Sequence, residues 1–164
     1  LMHNVAGKAV GFKEALTPEF EQYAQQVVDN AEALGARLKE HGFSLVSGGT
    51  DTHLVLVDLR ESHPDTPGGV AEEALEDIGI VLNKNTVPGE TRSAFNPSGI
   101  RAGTPALTTR GFDEDACEQV ADIIARIVDA PNDEDVKADA AADVEDLCAE
   151  YPLYDREGSL TDFE

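Results

Sequence analysis

"FSLVSGGTDTHLVLVDL", residues 43–59, holds two short apolar runs on either side of a glycine pair. "FSLV" (43–46) and "HLVLVDL" (53–59) carry the branched and large apolar side chains that suit a pleated, half-buried surface, and Gly48-Gly49 supplies the turn between them. The two runs are expected to pair as a hairpin. How that hairpin is covered depends on its flanks. Upstream, Phe20, Tyr23, Ala24, Val27, Val28, Ala31, Leu34 and Leu38 recur at helical spacing over residues 17–41, with Thr17 as N-cap, Pro18 at the first helical position and Gly42 just past the end. Downstream, after the loop "RESHPDTPGG" (60–69), Val70, Ala71, Ala74, Leu75 and Ile78 mark a short helix that Gly79 ends, and "IVLN" (80–83) reads as a strand.

Two helices are expected to close the chain. One follows Asp113 and carries Cys117, Val120, Ile123, Ile124, Ile127 and Val128 as far as Pro131. The other follows Asn132 and carries Val136, Ala140, Val144, Leu147 and Tyr151. The order of elements predicts a small α/β (α+β) domain, with helices covering one face of a mostly antiparallel sheet. Residues 1–16 contain Val10, Phe12 and Leu16 but no partner for them, and are assigned to a preceding domain. Residues 155–164 form a polar tail expected to fray.

With 164 residues and 41% hydrophobic content, the chain is long enough to bury one core. No apolar run approaches the roughly 18 residues that span a bilayer, and the first residues lack a basic targeting region, so a cytoplasmic setting is expected. Thirty-three acidic against 12 basic residues give a formal charge of −21, which argues against nucleic acid and anionic membranes as partners. The acids are spread along the whole chain and Lys is scarce, as on a surface adapted to high salt, so a halophilic source is expected. Cys117 and Cys148 fall in helical patterns without metal spacing and are both expected to be core thiols. A first residue of Leu1 leads to the expectation that the sequence continues upstream.

Against this acidity, "TRSAFNPSGIRAGTPALTTRGF" (91–112) has three arginines and no Asp or Glu. A carboxylate beside Arg101 would compete with any external anion, so an anion site should be cleared of acids. Ser98, Gly99, Ala102, Gly103 and Thr104 leave room around Arg101, and a planar guanidinium can hold both oxygens of a ligand carboxylate. Spacing alone leaves open whether Arg101 binds a ligand or a structural carboxylate. Arg92 and Arg110 are expected to be solvated or helix-capping charges. His3, His41, His53 and His63 share no metal spacing and lie in no nucleophile motif. Ser47-Gly48-Gly49-Thr50 joins two strands instead of opening a helix, and is expected to be a plain turn. None of Lys8, Lys13, Lys39, Lys84 and Lys137 sits in a context typical of a Schiff-base lysine.

Taken in order, "LMHNVAGKAVGFKEAL", "VSGGTDTHLVLVDL", "VLNKNTVP" and "SGIRAGTPALTTRGF", with "YPLY" near the end, closely resemble the C-terminal part of serine hydroxymethyltransferase, over residues 1 to about 154. The resemblance implies a pyridoxal-phosphate enzyme of the aspartate-aminotransferase fold type that interconverts serine and glycine, with tetrahydrofolate as one-carbon carrier. It also implies that Arg101, in "SGIR", binds the substrate carboxylate and that Asn85, Ser93, Ala94 and Phe95 contact folate. Ala94 stands where the family's Ser-Pro-Phe has proline, which implies a less rigid loop. The Schiff-base lysine, the phosphate loop and the acid/base would lie in a large domain outside this chain. Residues 1–16 would then be a connecting segment and 17–154 the small domain, inactive alone and completed by a homodimer. The competing expectation is a free-standing module that binds an amino acid or folate without chemistry.

Overall fold

Thr17 separates two helices and caps the second, its Oγ1 accepting from Phe20 N at 3.3 Å. In the computed structural model, which describes residues 1–154, these are α1 (Met2–Glu14) and α2 (Pro18–Glu40). They are followed by β1 (Ser44–Leu45), β2 (Leu54–Asp58), α3 (Gly68–Asp77), β3 (Asn83–Asn85), β4 (Gly99–Gly103), α4 (Pro105–Thr109), α5 (Glu114–Asp129) and α6 (Glu134–Glu150). Asp113 and Asp133 cap α5 and α6 through their side chains. Gly42, at φ +86°, ends α2 in the left-handed region expected of it.

The four strands form one antiparallel sheet in the order β1-β2-β4-β3. Val55 and Val57 of β2 and Ile100 and Ala102 of β4 point to one face, where Leu34 and Leu38 of α2, Leu75 of α3, and Ile124 and Ile127 of α5 close the core. Full burial of each such aliphatic side chain is worth about 1.5–3 kcal/mol relative to exposure. Helices thus cover one face, as the sequence predicts, and the opposite face of β4 and β3 stays open.

Two buried polar residues fix β4 and α4 against α2. Thr104 Oγ1 donates to Val27 O at 2.7 Å, and Asn30 Nδ2 donates to Thr108 Oγ1 and to Phe112 O, both at 2.9 Å. Gly68 matters for a different reason. A Cβ there would stand 2.1 Å from Gly99 O, so only glycine lets α3 start against the end of β4.

Several expectations need correction. The hairpin pairs, Ser44 opposite Asp58 and Leu45 opposite Val57, but its first strand has only two residues. Val46–Gly48 instead forms a 3₁₀ turn with Ser47 at φ +66°. "IVLN" reaches the sheet only at Asn83; Ile80 and Leu82 insert into the core side while Val81 stays 82% exposed. The alternation there serves packing, not strand pairing. Cys148 is exposed on α6, and only Cys117 is a core thiol. Residues 2–14 form a helix that the sequence reading did not assign, and none of its residues is buried. Residues 155–164, read as a fraying tail, lie outside the described residues.

Candidate functional site

β4 was not foreseen as a strand, yet it pairs on both sides and sets the geometry of the acid-free stretch. Alternation along a strand sends Ile100 and Ala102 into the core and Arg101 to the open face. Arg101 lies opposite Leu56 on one side and Asn83 on the other, and its Nη2 donates to Asn83 Oδ1 at 2.9 Å. Gly103, opposite Leu54, adds no side chain. Arg101, Asn83, Gly103 and Leu54, together with His53, Val81 and Leu82, line a shallow depression of about 300 Å³.

Arginine partners separate by region. Arg37, Arg60 and Arg126 each pair with a carboxylate: Asp122, Asp58 and Asp143 respectively. Within the acid-free stretch, Arg92 donates to Pro64 O, Arg110 to Tyr151 O and Cys148 O, and Arg101 to Asn83. None of these three guanidinium groups meets a carboxylate among the described residues. Arg110 therefore caps the end of α6, as a cation at a helix C-terminus should. Arg101 alone of the three presents an exposed guanidinium on the open sheet face, with most of its donors unspent.

Asn85 lies one row further along the same face, opposite Gly99, and its Nδ2 donates to Thr86 O at 2.7 Å. Ser93, Ala94 and Phe95 are exposed in the loop between β3 and β4, Phe95 to 91%. Arg101, Asn83 and Asn85 are thus brought to one face. The 93–95 segment makes no hydrogen bond to Arg101 or Asn85 among the described residues and does not line the depression around Arg101.

Glu90 organises that loop. Burial raises its pKa, but donors from Ser98 Oγ and the Ser98, Arg92 and Val87 amides outweigh this and lower it to about 2. Outside the loop, Arg60 clasps Asp58 and donates to Gly89 O at 2.7 Å and Pro88 O at 2.9 Å. The same contact with Arg60 holds the Asp58 carboxyl below its usual range.

Sequence reasoning missed Asn83 and Glu90. Asn83 was findable, because it stands two residues before Asn85 and a strand puts both on one face. Other titratable groups lie elsewhere. His41 meets Asp122, and His63 meets Asp129 and stacks on Phe43. Among the described residues no group of three or more His, Cys, Asp or Glu is placed to hold a metal ion. Lys84, beside Asn85, is engaged by Glu72, while Lys39 and Lys137 bond to Gly48 O and Asp77. None of these three lysines stands on the Arg101 face: Lys84 lies opposite Ile100 and turns to the helix-covered side, and Lys39 and Lys137 belong to α2 and α6. A larger cavity of about 470 Å³ between α5 and α6 is lined by Asp122, Asp143, Asp146 and Glu150, which suits no anion. No helix of the described residues is long and apolar enough to cross a membrane.

A family model described as serine hydroxymethyltransferase matches residues 1–124. Curated relatives of that name are similar over nearly the whole chain. The one from Natronomonas pharaonis is 82% identical over 164 residues, covering 100% of this chain and 39% of its own length. That from Haloarcula marismortui is 75% identical over 155 residues (94% of this chain, 37% of its own), and that from Coxiella burnetii 50% identical over 154 (94% and 36%). The first two are halophilic archaea, in keeping with the acidic surface. The chain spans about two fifths of the length of these relatives.

Proposed function

The chain belongs to the serine hydroxymethyltransferase family, and on that premise we propose that it is the C-terminal portion of such an enzyme. In this reading it is the small domain of a protein of the aspartate-aminotransferase fold type, acting in the cytoplasm. The whole protein interconverts serine and glycine with tetrahydrofolate as carrier. Pyridoxal phosphate supplies an electron sink for that chemistry, and in this reading it is held by residues outside this chain; Lys39, Lys84 and Lys137 are engaged by Gly48 O, Glu72 and Asp77.

Arg101 is the residue we assign to the substrate carboxylate. The observation that carries this is its exposure on the open sheet face with no carboxylate partner, in a chain where acids outnumber bases 33 to 12. A two-pronged grip on the carboxylate fixes the orientation of the amino acid, and so determines which bond is presented for cleavage. Asn85 and the Ser93-Ala94-Phe95 segment are assigned to folate, Phe95 offering an exposed ring for stacking.

Residues 1–16 are assigned as the connection to a large domain. In α1, Met2, Val5, Ala9 and Phe12 recur on one face, all exposed, and residues 1–13 contain no acid. A surface kept soluble by carboxylates elsewhere is here left apolar, which supports burial of this helix in the complete protein. Completion by a homodimer belongs to the same proposal.

The test is a chimera in which this chain replaces the matching 39% of the Natronomonas pharaonis relative. Cleavage of serine by the chimera with pyridoxal phosphate and tetrahydrofolate, and none by the chain alone, is the expected result. A folded, cofactor-loaded chimera that leaves serine untouched would overturn the reading.

A further inference from the structure

Ala94 leaves the 93–95 segment without the stiffness a proline would give it, yet the loop from Val87 to Ser98 is closed on a single carboxylate. Glu90 Oε1 accepts from Ser98 Oγ at 2.6 Å, Arg92 N at 2.8 Å and Thr91 N at 2.9 Å, and Oε2 accepts from Ser98 N at 2.9 Å and Val87 N at 3.4 Å. Five donors from both ends of the loop therefore converge on one side chain of that loop. The turn at its tip is closed by Asn96 N donating to Ser93 O, and Asn96 Oδ1 in turn accepts from Gly69 N at the start of α3. Pro97 O accepts from Gly68 N, so the same loop end is anchored to α3 twice.

We propose that Glu90 is a positioning residue. It holds the Val87–Ser98 loop in the shape that presents Ser93 and Phe95 from the β3–β4 connection, and thereby sets the affinity for the pterin-bearing substrate without touching it. This rests on the folate assignment made above. The geometry favours Glu90 over its neighbours because a neutral amide cannot match it. Gln at this position has one acceptor oxygen, and its NH₂ would face donors that the carboxylate now accepts. Loss of charge-assisted hydrogen bonds to backbone amides should open the loop locally while the helices and sheet stay intact.

The experiment compares wild type, Glu90→Gln, Phe95→Ala and Ala94→Pro. Amide hydrogen exchange is followed in the 164-residue chain, and Michaelis constants for tetrahydrofolate and serine are measured in the chimera. For Glu90→Gln, exchange at Thr91, Arg92 and Ser98 should accelerate by about ten-fold or more. The tetrahydrofolate KM should rise by a similar factor while the serine KM stays within about two-fold. Adding Ala94→Pro to Glu90→Gln should recover part of both, as stiffening the chain replaces part of the lost restraint. Unchanged exchange in Glu90→Gln overturns the positioning role. Faster exchange with a raised tetrahydrofolate KM in Phe95→Ala but not in Glu90→Gln also overturns it, and spares the folate reading. An unchanged tetrahydrofolate KM in both variants overturns the folate reading itself.

Discussion

Replacing Arg101 by Lys separates a binding role from a structural one. Arg101 is exposed and makes one neutral hydrogen bond, to Asn83, so its loss should change stability by no more than about 0.5 kcal/mol. A bound carboxylate would gain two charge-assisted bonds from the guanidinium fork. Lys keeps the charge and one bond, so the variant loses one bond worth about 1.5–3 kcal/mol. That converts to a fall of roughly 10- to 150-fold in kcat/KM for serine in the chimera. Urea unfolding of the chain and steady-state kinetics of the chimera measure the two quantities side by side. A kcat/KM within two-fold of wild type, or a stability cost above about 1 kcal/mol, would refute the reasoning, because Arg101 would then be serving the fold.

Three further outcomes are expected. Asn30→Ala removes buried donors to Thr108 and Phe112 O and should cost about 2–4 kcal/mol in urea unfolding, since a buried carbonyl loses its partner. The Glu90 carboxyl, at about 2 in the folded chain against roughly 4.3 unfolded, contributes stability that is complete above the unfolded value. That contribution is lost as pH falls through the folded one, so the gap in urea midpoint between wild type and Glu90→Gln should be constant from pH 7 to 5 and shrink from there toward pH 2. A gap independent of pH would contradict it. Finally, a thiol reagent should label one cysteine quickly, Cys148. Cys117, buried and pushed up to about 12 by desolvation and the nearby Asp113 and Glu114 charges, should react only on unfolding.

The helices were legible because their signals are local. Thr17, Asp113, Gly42 and Gly79 punctuate runs whose apolar spacing matches 3.6 residues per turn, and each lies at or next to a helix end in the structure. β4 was not legible. Its five residues, "GIRAG", include two glycines and one arginine, so a strand that pairs on both sides carries little β propensity of its own. Its position comes instead from tertiary partners, with Gly68 and Gly99 allowing a close approach and Thr104 and Asn30 binding to α2 and its neighbours. The absence of acids around Arg101 was visible in the sequence, and the structure adds that none of the three guanidinium groups of that stretch has a carboxylate partner among the described residues. Glu90 could not be picked out, because one acid among 33 has no pattern until the loop closes around it.

The most direct test of the account is a crystal structure of the chimera with pyridoxal phosphate and glycine bound. The account predicts both carboxylate oxygens of glycine within about 2.7–3.2 Å of the Arg101 guanidinium, on the open face of β4 beside Asn83. A glycine carboxylate held by another residue, with Arg101 still facing only Asn83, would contradict it.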